Sequence, residues 1–250
     1  MTDTETRPFP ARQALKILSY NVHSCIGTDR RLDPVRVAEV IAALEPDIIG
    51  LQELDVGRNR TGGMDQAHII ASLLRMEFHF HAALKVEEEH YGDAVLTALP
   101  MRLVKGDVLP SHGEQRGAIW VEITAGDTQL QVFNTHLGLR RRDRLRQTAV
   151  LRGPDWLGHP DCREKPIILI GDMNSVPSSP VYHNLSRGMA DVQNRTVMQP
   201  RPTFPSRYPF LRLDHIFVST DIQVREAGVA STKLARRASD HLPLLATVEV

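Results

Sequence analysis

Short apolar runs of strand length recur along the whole chain, and they constrain the fold more than any other feature. The runs at 15–22 and 47–51 predict buried strands, and helical periodicity begins at Asp33-Pro34 and at Asp65. Further runs, separated by Pro, Gly or Asp, predict antiparallel strands joined by hairpins at 94–99, 103–109, 117–123 and 130–135. Helices alternate with strands only in part, which predicts an α/β fold.

The second half of the chain continues the mixed pattern. It predicts a basic helix at 140–157, a strand at 167–170, a short helix at 180–185, a proline-rich loop at 200–209, and strands at 213–218, 222–229 and 244–250. No repeat or linker divides the chain, so we expect residues 14–250 to form one domain after a flexible N-terminal segment, residues 1–13. The predicted architecture is an α/β sandwich, with two mostly antiparallel sheets packed face to face under outer helices.

Composition excludes several classes of protein. The only cysteines are Cys25 and Cys162, too few for a disulfide scaffold or a cysteine-zinc site. The polar N-terminus lacks a secretory signal, and no apolar run is long enough to span a bilayer, so we expect a cytoplasmic protein. Thirty basic and thirty acidic residues give a net charge of zero, which disfavours a chain-wide grip on nucleic acid and leaves a local basic cleft open.

Polar residues follow the predicted strands where a buried core would not favour them. A carboxylate or imidazole at the end of a buried strand is desolvated unless it has a partner, so repeated examples indicate convergence on one polar site. Any one of them alone is as well explained by a turn or a surface position. The strand ends in question are Tyr20-Asn21, Gln52-Glu53, Thr135-His136, Gly171-Asp172-Met173-Asn174, Leu213-Asp214-His215 and Ser239-Asp240-His241.

These residue types suit metal-assisted attack of water on a phosphorus ester. Magnesium prefers oxygen ligands and retains several waters, so Glu53, Asp240 and the amide of Asn21 are sufficient candidate ligands, and Mn²⁺ is an alternative metal. No GxSxG motif or other nucleophile motif is present, which favours direct hydrolysis over a covalent intermediate.

The remaining strand-end residues fit the other catalytic roles. Asp172 is the candidate base that orients and deprotonates water, and Asn174 is a candidate donor to the phosphoryl oxygen. His136 and His241, as imidazoliums, would stabilise charge on the non-bridging oxygens. Asp214 would fix the tautomer of an imidazole and raise its pKa.

Six short motifs in this order resemble the endonuclease/exonuclease/phosphatase superfamily. They are SYNVH (19–23), LQELD (51–55), NTHLG (134–138), GDMNSVPSS (171–179), LDHIFVS (213–219) and SDHLP (239–243). The resemblance implies a four-layer α/β sandwich and cleavage of phosphoester bonds with Mg²⁺ or Mn²⁺.

The resemblance also implies roles at the matching positions. Glu53 matches the principal metal ligand with Asn21 and Asp240 beside it, Asp172 and Asn174 match the water-activating and phosphate-contacting pair, and Asp214 and His241 match the hydrogen-bonded pair that faces the scissile phosphate.

Two departures from the superfamily pattern bear on the substrate. Apurinic endonucleases of the superfamily typically have an Asp where this chain has His23, and a Tyr where it has His136, which argues against abasic-site cleavage. His136 in its motif is instead similar to pancreatic deoxyribonuclease, neutral sphingomyelinases and inositol polyphosphate phosphatases. The closest overall resemblance is to small bacterial metal-dependent hydrolases.

Several basic residues are candidates for substrate binding, each with a plainer alternative. Arg116 resembles an arginine often found near this point in the superfamily, but an exposed arginine at a strand start is the favoured interpretation from the sequence. The basic run 140–146 either follows phosphates or lipid headgroups, or forms a solvated helix face. Arginines and aromatics interleave at 201–212, where they either contact a base or lipid or form a wall of the site fixed by prolines.

The sequence leaves three functions open. The first is a phosphodiesterase acting on a small or lipid-linked substrate, with a phospholipid headgroup as one candidate partner and no obligate protein partner. The second is an endonuclease or exonuclease on DNA or RNA, which would need an extended basic groove. The third is a non-catalytic binding module, which the retained candidate ligands disfavour.

Overall fold

The computed structural model describes residues 13–250. The expected flexible segment 1–13 lies outside the described residues except for Gln13. That residue exchanges two backbone hydrogen bonds of 3.1 Å with Val250, so the two ends of the described chain lie side by side. The extent of the single domain expected over residues 14–250 stays a prediction.

The described residues form twelve strands and five α-helices. The strands are β1 Ala14–Asn21, β2 Ile48–Val56, β3 Glu77–Val86, β4 Glu89–Thr97, β5 Met101–Leu109, β6 Arg116–Ala125, β7 Thr128–His136, β8 Ile167–Asp172, β9 Met189–Asp191, β10 Asp214–Ser219, β11 Gln223–Val229 and β12 Leu244–Glu249. The helices are α1 Pro34–Ala42, α2 Gln66–Leu74, α3 Arg141–Leu151, α4 Pro180–Leu185 and α5 Lys233–Ala238.

The strands form two six-stranded mixed sheets. The first has the order β11-β12-β1-β2-β4-β3 and the second has the order β5-β6-β7-β8-β10-β9. Only β1 with β2 and β7 with β8 are parallel pairs. Each sheet therefore places the carboxyl ends of two neighbouring central strands at the same edge.

Side chains alternate between the two faces of each sheet and so build separate cores. Ile17 packs in the core between the sheets, together with Ile48, Ile119 and Ile170. The next residue, Leu18, points to the opposite face, where it joins the core under α1, α2 and α5. A third core packs α3 and α4 against the outer face of the second sheet. This helix-sheet-sheet-helix arrangement confirms the predicted α/β sandwich.

The elements that sequence reasoning missed or misplaced lie at the periphery. Strand β3, an edge strand with mostly half-exposed side chains, and the short α5 lack a strong periodic pattern.

The helices at Pro34 and Gln66 begin where predicted, because Asp33 and Asp65 accept hydrogen bonds from backbone N–H groups three residues later.

All five α-helices are short. The basic helix expected at 140–157 ends at Leu151, because Gly153 and Pro154 follow and neither continues a helix well. Within residues 13–250 we find no helix of the length and apolar character that crossing a membrane requires. The expected cytoplasmic location stays a prediction.

Candidate active site

The predicted site residues converge on one cleft of about 440 Å³ between the edges of the two sheets. Asn21 ends β1, Glu53 lies in β2, His136 ends β7 and Asp172 ends β8, so both parallel pairs contribute through their carboxyl-terminal ends. The cleft is lined by Glu53, Arg116, His136, Asp172, Asn174, Asp240 and His241, with Asn21 and Asp214 bonded directly behind them.

Glu53 reaches the cleft through an irregularity in β2. The register between β2 and β4 shifts between Leu51 and Leu54, and Glu53 has a φ of 62°. A bulge with a left-handed residue re-aims a side chain that a regular strand would direct elsewhere, at a cost in backbone strain. Strain held at this position is consistent with a role for the carboxylate in the cleft.

Asn21 joins the two carboxylates. Its Nδ2 donates to Oε1 of Glu53 at 2.9 Å and to Oδ2 of Asp172 at 3.0 Å, while its Oδ1 accepts the backbone N–H of His23. In this orientation the amide nitrogen, and not the oxygen expected as a metal ligand, faces the carboxylates. Asn21 as a metal ligand therefore stays a prediction, and its observed contact is to orient Glu53 and Asp172.

Asp172 is the most connected carboxylate of the cleft and is almost fully buried. Its Oδ1 accepts the backbone N–H of Asn174 at 2.8 Å, and its Oδ2 lies 3.4 Å from Nε2 of His136 and 3.6 Å from Nε2 of His241. Burial raises the pKa of Asp172 to about 7, and the neighbouring Asp214 charge acts in the same direction. The environment therefore suits proton exchange better than a surface carboxylate would.

The backbone around Asp172 admits only particular residues. A Cβ at Gly171 would collide with the carbonyl oxygen of Thr135 on the parallel neighbour β7, so only glycine allows the strands to approach there. Asn174 has a φ of 45°, a left-handed conformation that asparagine tolerates. Its Nδ2 donates to the carbonyl of Leu137 at 2.8 Å and lies 3.0 Å from Nε2 of His136.

His241 and Asp214 form the expected hydrogen-bonded pair. Nδ1 of His241 donates to Oδ2 of Asp214 at 2.8 Å, and the ring of Phe204 packs on the imidazole with centroids 4.7 Å apart. Burial alone would lower the pKa of His241, but the charges of Asp214 and Asp172 outweigh it and raise that pKa to about 10. His241 is therefore an imidazolium at neutral pH, as predicted.

His136 has the opposite charge state from the one expected. Both ring nitrogens face a donor, since Nη1 of Arg116 lies 3.1 Å from Nδ1 and Nδ2 of Asn174 lies 3.0 Å from Nε2, and a doubly protonated ring could accept from neither. Burial, and then the charges of Arg116 and His241, hold the pKa of His136 well below 6.5. These contacts and the lowered pKa contradict the predicted imidazolium: His136 is a neutral ring whose Nε2 lies 3.4 Å from Oδ2 of Asp172.

Arg116 is buried, which excludes the plainer alternative of an exposed arginine at a strand start. Its Nη1 carries contacts to the hydroxyl of Tyr91 at 3.2 Å, to His136, and to Oε1 of Glu114 at 2.8 Å. The guanidinium lies over the edge of the cleft, where a charged donor suits a phosphoryl oxygen.

The donor set fits a hard divalent cation. The carboxylates of Glu53, Asp172 and Asp240 line the same cleft, and oxygen ligands of this kind suit Mg²⁺ or Mn²⁺. Asp172, Asp214 and His241 also bring ligand atoms within 4.8 Å of one another, and Oδ1 of Asp214 is buried without a hydrogen-bond partner among the described residues. Protonated His241 cannot act as a ligand, so the carboxylates are the better candidates.

Other residues of the cleft were not singled out as site residues from the sequence. Arg60 donates to both oxygens of Asp55, and with Arg58 and Arg116 it surrounds the ring of Tyr91. Arg58, Arg60 and Tyr91 lie outside the six sequence motifs, so only their convergence in space reveals them. The remaining lining residues of this kind are His23, Ser24, Ile26, Glu114, Leu139 and Leu213.

The interleaved aromatics at 201–212 divide into two groups. Phe204 is a wall of the site, packed on His241, which agrees with the plainer interpretation. Tyr208 and Phe210 are 83% and 71% exposed and do not line the cleft, so contact of these two rings with a base or lipid stays a hypothesis.

Comparison with known proteins agrees with this fold. The protein named Uncharacterized protein YbhP, from Escherichia coli K12, is 27% identical over 251 residues, which covers 95% of this chain and 97% of that protein. A crystal structure of an endonuclease/exonuclease/phosphatase from Beutenbergia cavernae has a TM-score of 0.75 at 24% identity, covering 96% of this chain and 72% of that one. The mannosyl-6-phosphatase Bt3783 of Bacteroides thetaiotaomicron has a TM-score of 0.72 at 20% identity, covering 94% and 99%.

The family match spans nearly the whole described chain. The model of the Endonuclease/Exonuclease/phosphatase family matches residues 18–241, from β1 to the histidine that faces Asp172. Proteins of this family are generally hydrolases that act on phosphoesters, typically with divalent metals. The resemblance drawn from the six motifs is confirmed, and the chain belongs to the Endonuclease/Exonuclease/phosphatase family.

Proposed function

We propose that this protein is a divalent-metal-dependent phosphodiesterase that hydrolyses a small or lipid-linked phosphodiester by direct attack of water. The convergence of Glu53, Asp172, Asp240 and His241 in one cleft of about 440 Å³ carries the proposal. A cleft of this size fits a small ligand or headgroup. The zero net charge of the chain supports a small substrate over a long polyanion.

The residues divide the chemistry among them. Asp172 orients the attacking water and takes its proton, while Asn21 and the backbone N–H of Asn174 hold that carboxylate in place. His241, kept charged by Asp214, stabilises the negative charge that develops on the phosphoryl oxygens. Arg116, which lines the same cleft beside His136, is the substrate-binding donor.

Glu53 and Asp240 are the candidate metal ligands, together with the amide of Asn21 if it turns its oxygen toward them. When bound there, Mg²⁺ or Mn²⁺ would act as a Lewis acid that polarises the phosphoryl oxygen. His136 supports the site as a neutral ring held between Arg116 and Asn174, and its Nε2 lies 3.4 Å from Oδ2 of Asp172.

One substrate panel tests the proposal. We would measure Mg²⁺-dependent and Mn²⁺-dependent turnover of bis-p-nitrophenyl phosphate, p-nitrophenyl phosphate, plasmid DNA and a phospholipid with a large headgroup. We expect cleavage of the small diester or the lipid, no nicking of the plasmid, and complete loss of turnover in EDTA and in E53Q.

Other results would contradict the proposal in distinct ways. Plasmid nicking at low enzyme concentration would indicate a nuclease, and cleavage of the monoester alone would indicate a phosphatase. Absence of turnover on all four substrates with either metal would favour a binding role.

A further inference from the structure

The catalytic cleft adjoins a second space rich in arginine. A narrow cavity of about 180 Å³ shares Arg116, Glu114 and Leu139 with the cleft. The same cavity shares Arg140 and Asp143 with an outer depression of about 300 Å³. The narrow cavity and the outer depression thus lead from the candidate catalytic residues to the start of α3, and we call them together the arginine groove.

The outer part of the arginine groove is strongly basic. Four arginines line it against one carboxylate, in a chain whose formal net charge is zero. A concave surface with charge of one sign concentrates field lines and attracts oppositely charged groups. The lining residues are His112, Arg140, Arg141, Arg142, Asp143 and Arg146.

Part of this charge is fixed in position and part is free. Arg140 donates to the carbonyl of His112 at 3.1 Å, and the ring of His112 lies between Arg146 and Asp143. Arg141 and Arg142 are exposed and have no hydrogen bond or ion pair within residues 13–250. The guanidiniums of Arg141 and Arg142 are therefore available to a ligand, whereas those of Arg140 and Arg146 are held by their contacts to His112.

The position of these arginines is unfavourable for the helix itself. Arg140 is the N-cap of α3, and the next two arginines are its first helical residues, at the positive end of the helix dipole. Arg140 gives no side-chain cap, and Asp143 in the first turn is bonded to His112 instead. The first backbone N–H groups thus lack a side-chain acceptor, and a bound anion would satisfy them and offset the repulsion.

We propose that the arginine groove binds a second phosphate of the substrate, so that the substrate is a phosphodiester that also carries a phosphate monoester. This inference rests on the proposed function and narrows its substrate class. Arg116 connects the two sites, because it lines both the catalytic cleft and the narrow cavity.

The size of these spaces favours a small bisphosphate over nucleic acid. Each has the dimensions of a small-ligand pocket or less, of the order of 300–1,000 Å³. A specific complex with DNA would bury about 1,000 Å² or more of protein surface. The basic lining is confined to the cleft and the start of one helix, so it suits a single phosphate.

A binding measurement tests the inference without relying on turnover. The probes are thymidine 5′-monophosphate and thymidine 3′,5′-bisphosphate, titrated into the full-length protein by calorimetry. We expect the bisphosphate to bind at least about tenfold more tightly, because each phosphate is held by charge-assisted hydrogen bonds.

A matched pair of variants assigns the difference to the arginine groove. R141A/R142A should abolish the preference for the bisphosphate and leave the affinity for the monophosphate unchanged. Its melting temperature should stay the same or rise, because two positive charges leave the positive end of α3. R31A/R163A removes the same charge from exposed arginines that line none of these cavities and should retain the preference.

Equal affinity of the wild-type protein for both probes would overturn the inference, as would a preference that persists in R141A/R142A. A third result would assign the surface to nucleic acid instead. In that case the wild-type protein would bind both thymidine phosphates alike and would bind a short DNA duplex, and R141A/R142A would lose the binding to the duplex. The p-nitrophenyl 5′-esters of the two thymidine probes separate the two proposals. Turnover of neither ester would contradict the proposed function, whereas equal turnover would contradict only the second-phosphate site.

Discussion

At the scale of single residues, the two histidines of the cleft show how surroundings decide chemical character. His241 has Asp214 on one ring nitrogen and Asp172 near the other, so its positive charge is stabilised. His136 has Arg116 on one ring nitrogen, so an added proton would meet a guanidinium. The same side chain is therefore an imidazolium at one position and a neutral ring at the other.

Removal of Asp172 or His241 tests their assigned roles. We expect D172N and H241A each to lower turnover of bis-p-nitrophenyl phosphate about a hundredfold or more, because a base or a charge stabiliser is lost. D172N preserves the shape of the side chain, so its circular dichroism spectrum should match that of the wild-type protein. Activity that survives both substitutions would refute the site assignment.

At the scale of secondary-structure elements, the parallel pair β7 and β8 positions much of the site. Their register places His136 opposite Asp172 and Thr135 opposite Gly171. The close approach of Thr135 and Gly171 brings the ends of the two strands together at the cleft. The two sheets supply different groups, since Glu53 comes from the first sheet and Asp172 from the second.

Substitution of Gly171 tests that approach. We expect G171A to lower the free energy of unfolding by about 1–3 kcal/mol, because the new methyl group would meet the carbonyl of Thr135 and force the strands apart. G228A is the matched control, since a Cβ there meets nothing within 4 Å, and it should change stability by less than about 0.5 kcal/mol. Similar denaturant midpoints for the two variants would show that β7 and β8 move apart at little cost, which would contradict the prediction.

At the scale of the whole molecule, ion pairs add to the cores in joining neighbouring elements. Glu122 of β6 accepts hydrogen bonds from Lys165, ahead of β8, and from Arg102 of β5, both at 2.9 Å. Lys165 and then Arg102 hold the pKa of Glu122 at about 2, below its ordinary value of 4.5. A depressed carboxylate pKa stabilises the folded state above the unfolded-state pKa, and the effect is lost as the pH falls toward 2.

The variant E122Q tests this contribution. We expect a lower melting temperature than wild type at pH 7, with the difference shrinking between about pH 5 and pH 2 as Glu122 becomes protonated in the wild-type protein. E39Q alters an exposed glutamate without an ion pair among the described residues and should melt like the wild-type protein at every pH. A difference for E122Q that is constant across this pH range would mean that packing, and not charge, explains it.

The sequence by itself determined the elements and chemistry that local patterns encode. Apolar runs predicted most central strands, and Asp33 and Asp65 marked two helix starts, because periodicity and capping act within a few residues. The polar residues at strand ends predicted a single site, and the nine predicted site residues do meet in or directly behind one cleft.

Only the tertiary structure decided what those residues do to one another. Asn21 and Asp172 are 151 positions apart, yet they share a hydrogen bond, and Tyr91 and Arg60 enter the cleft without any motif. The neutral state of His136 and the burial of Arg116 follow from contacts between distant strands. Desolvation and charge coupling depend on neighbours in space, so a linear pattern carries no record of them.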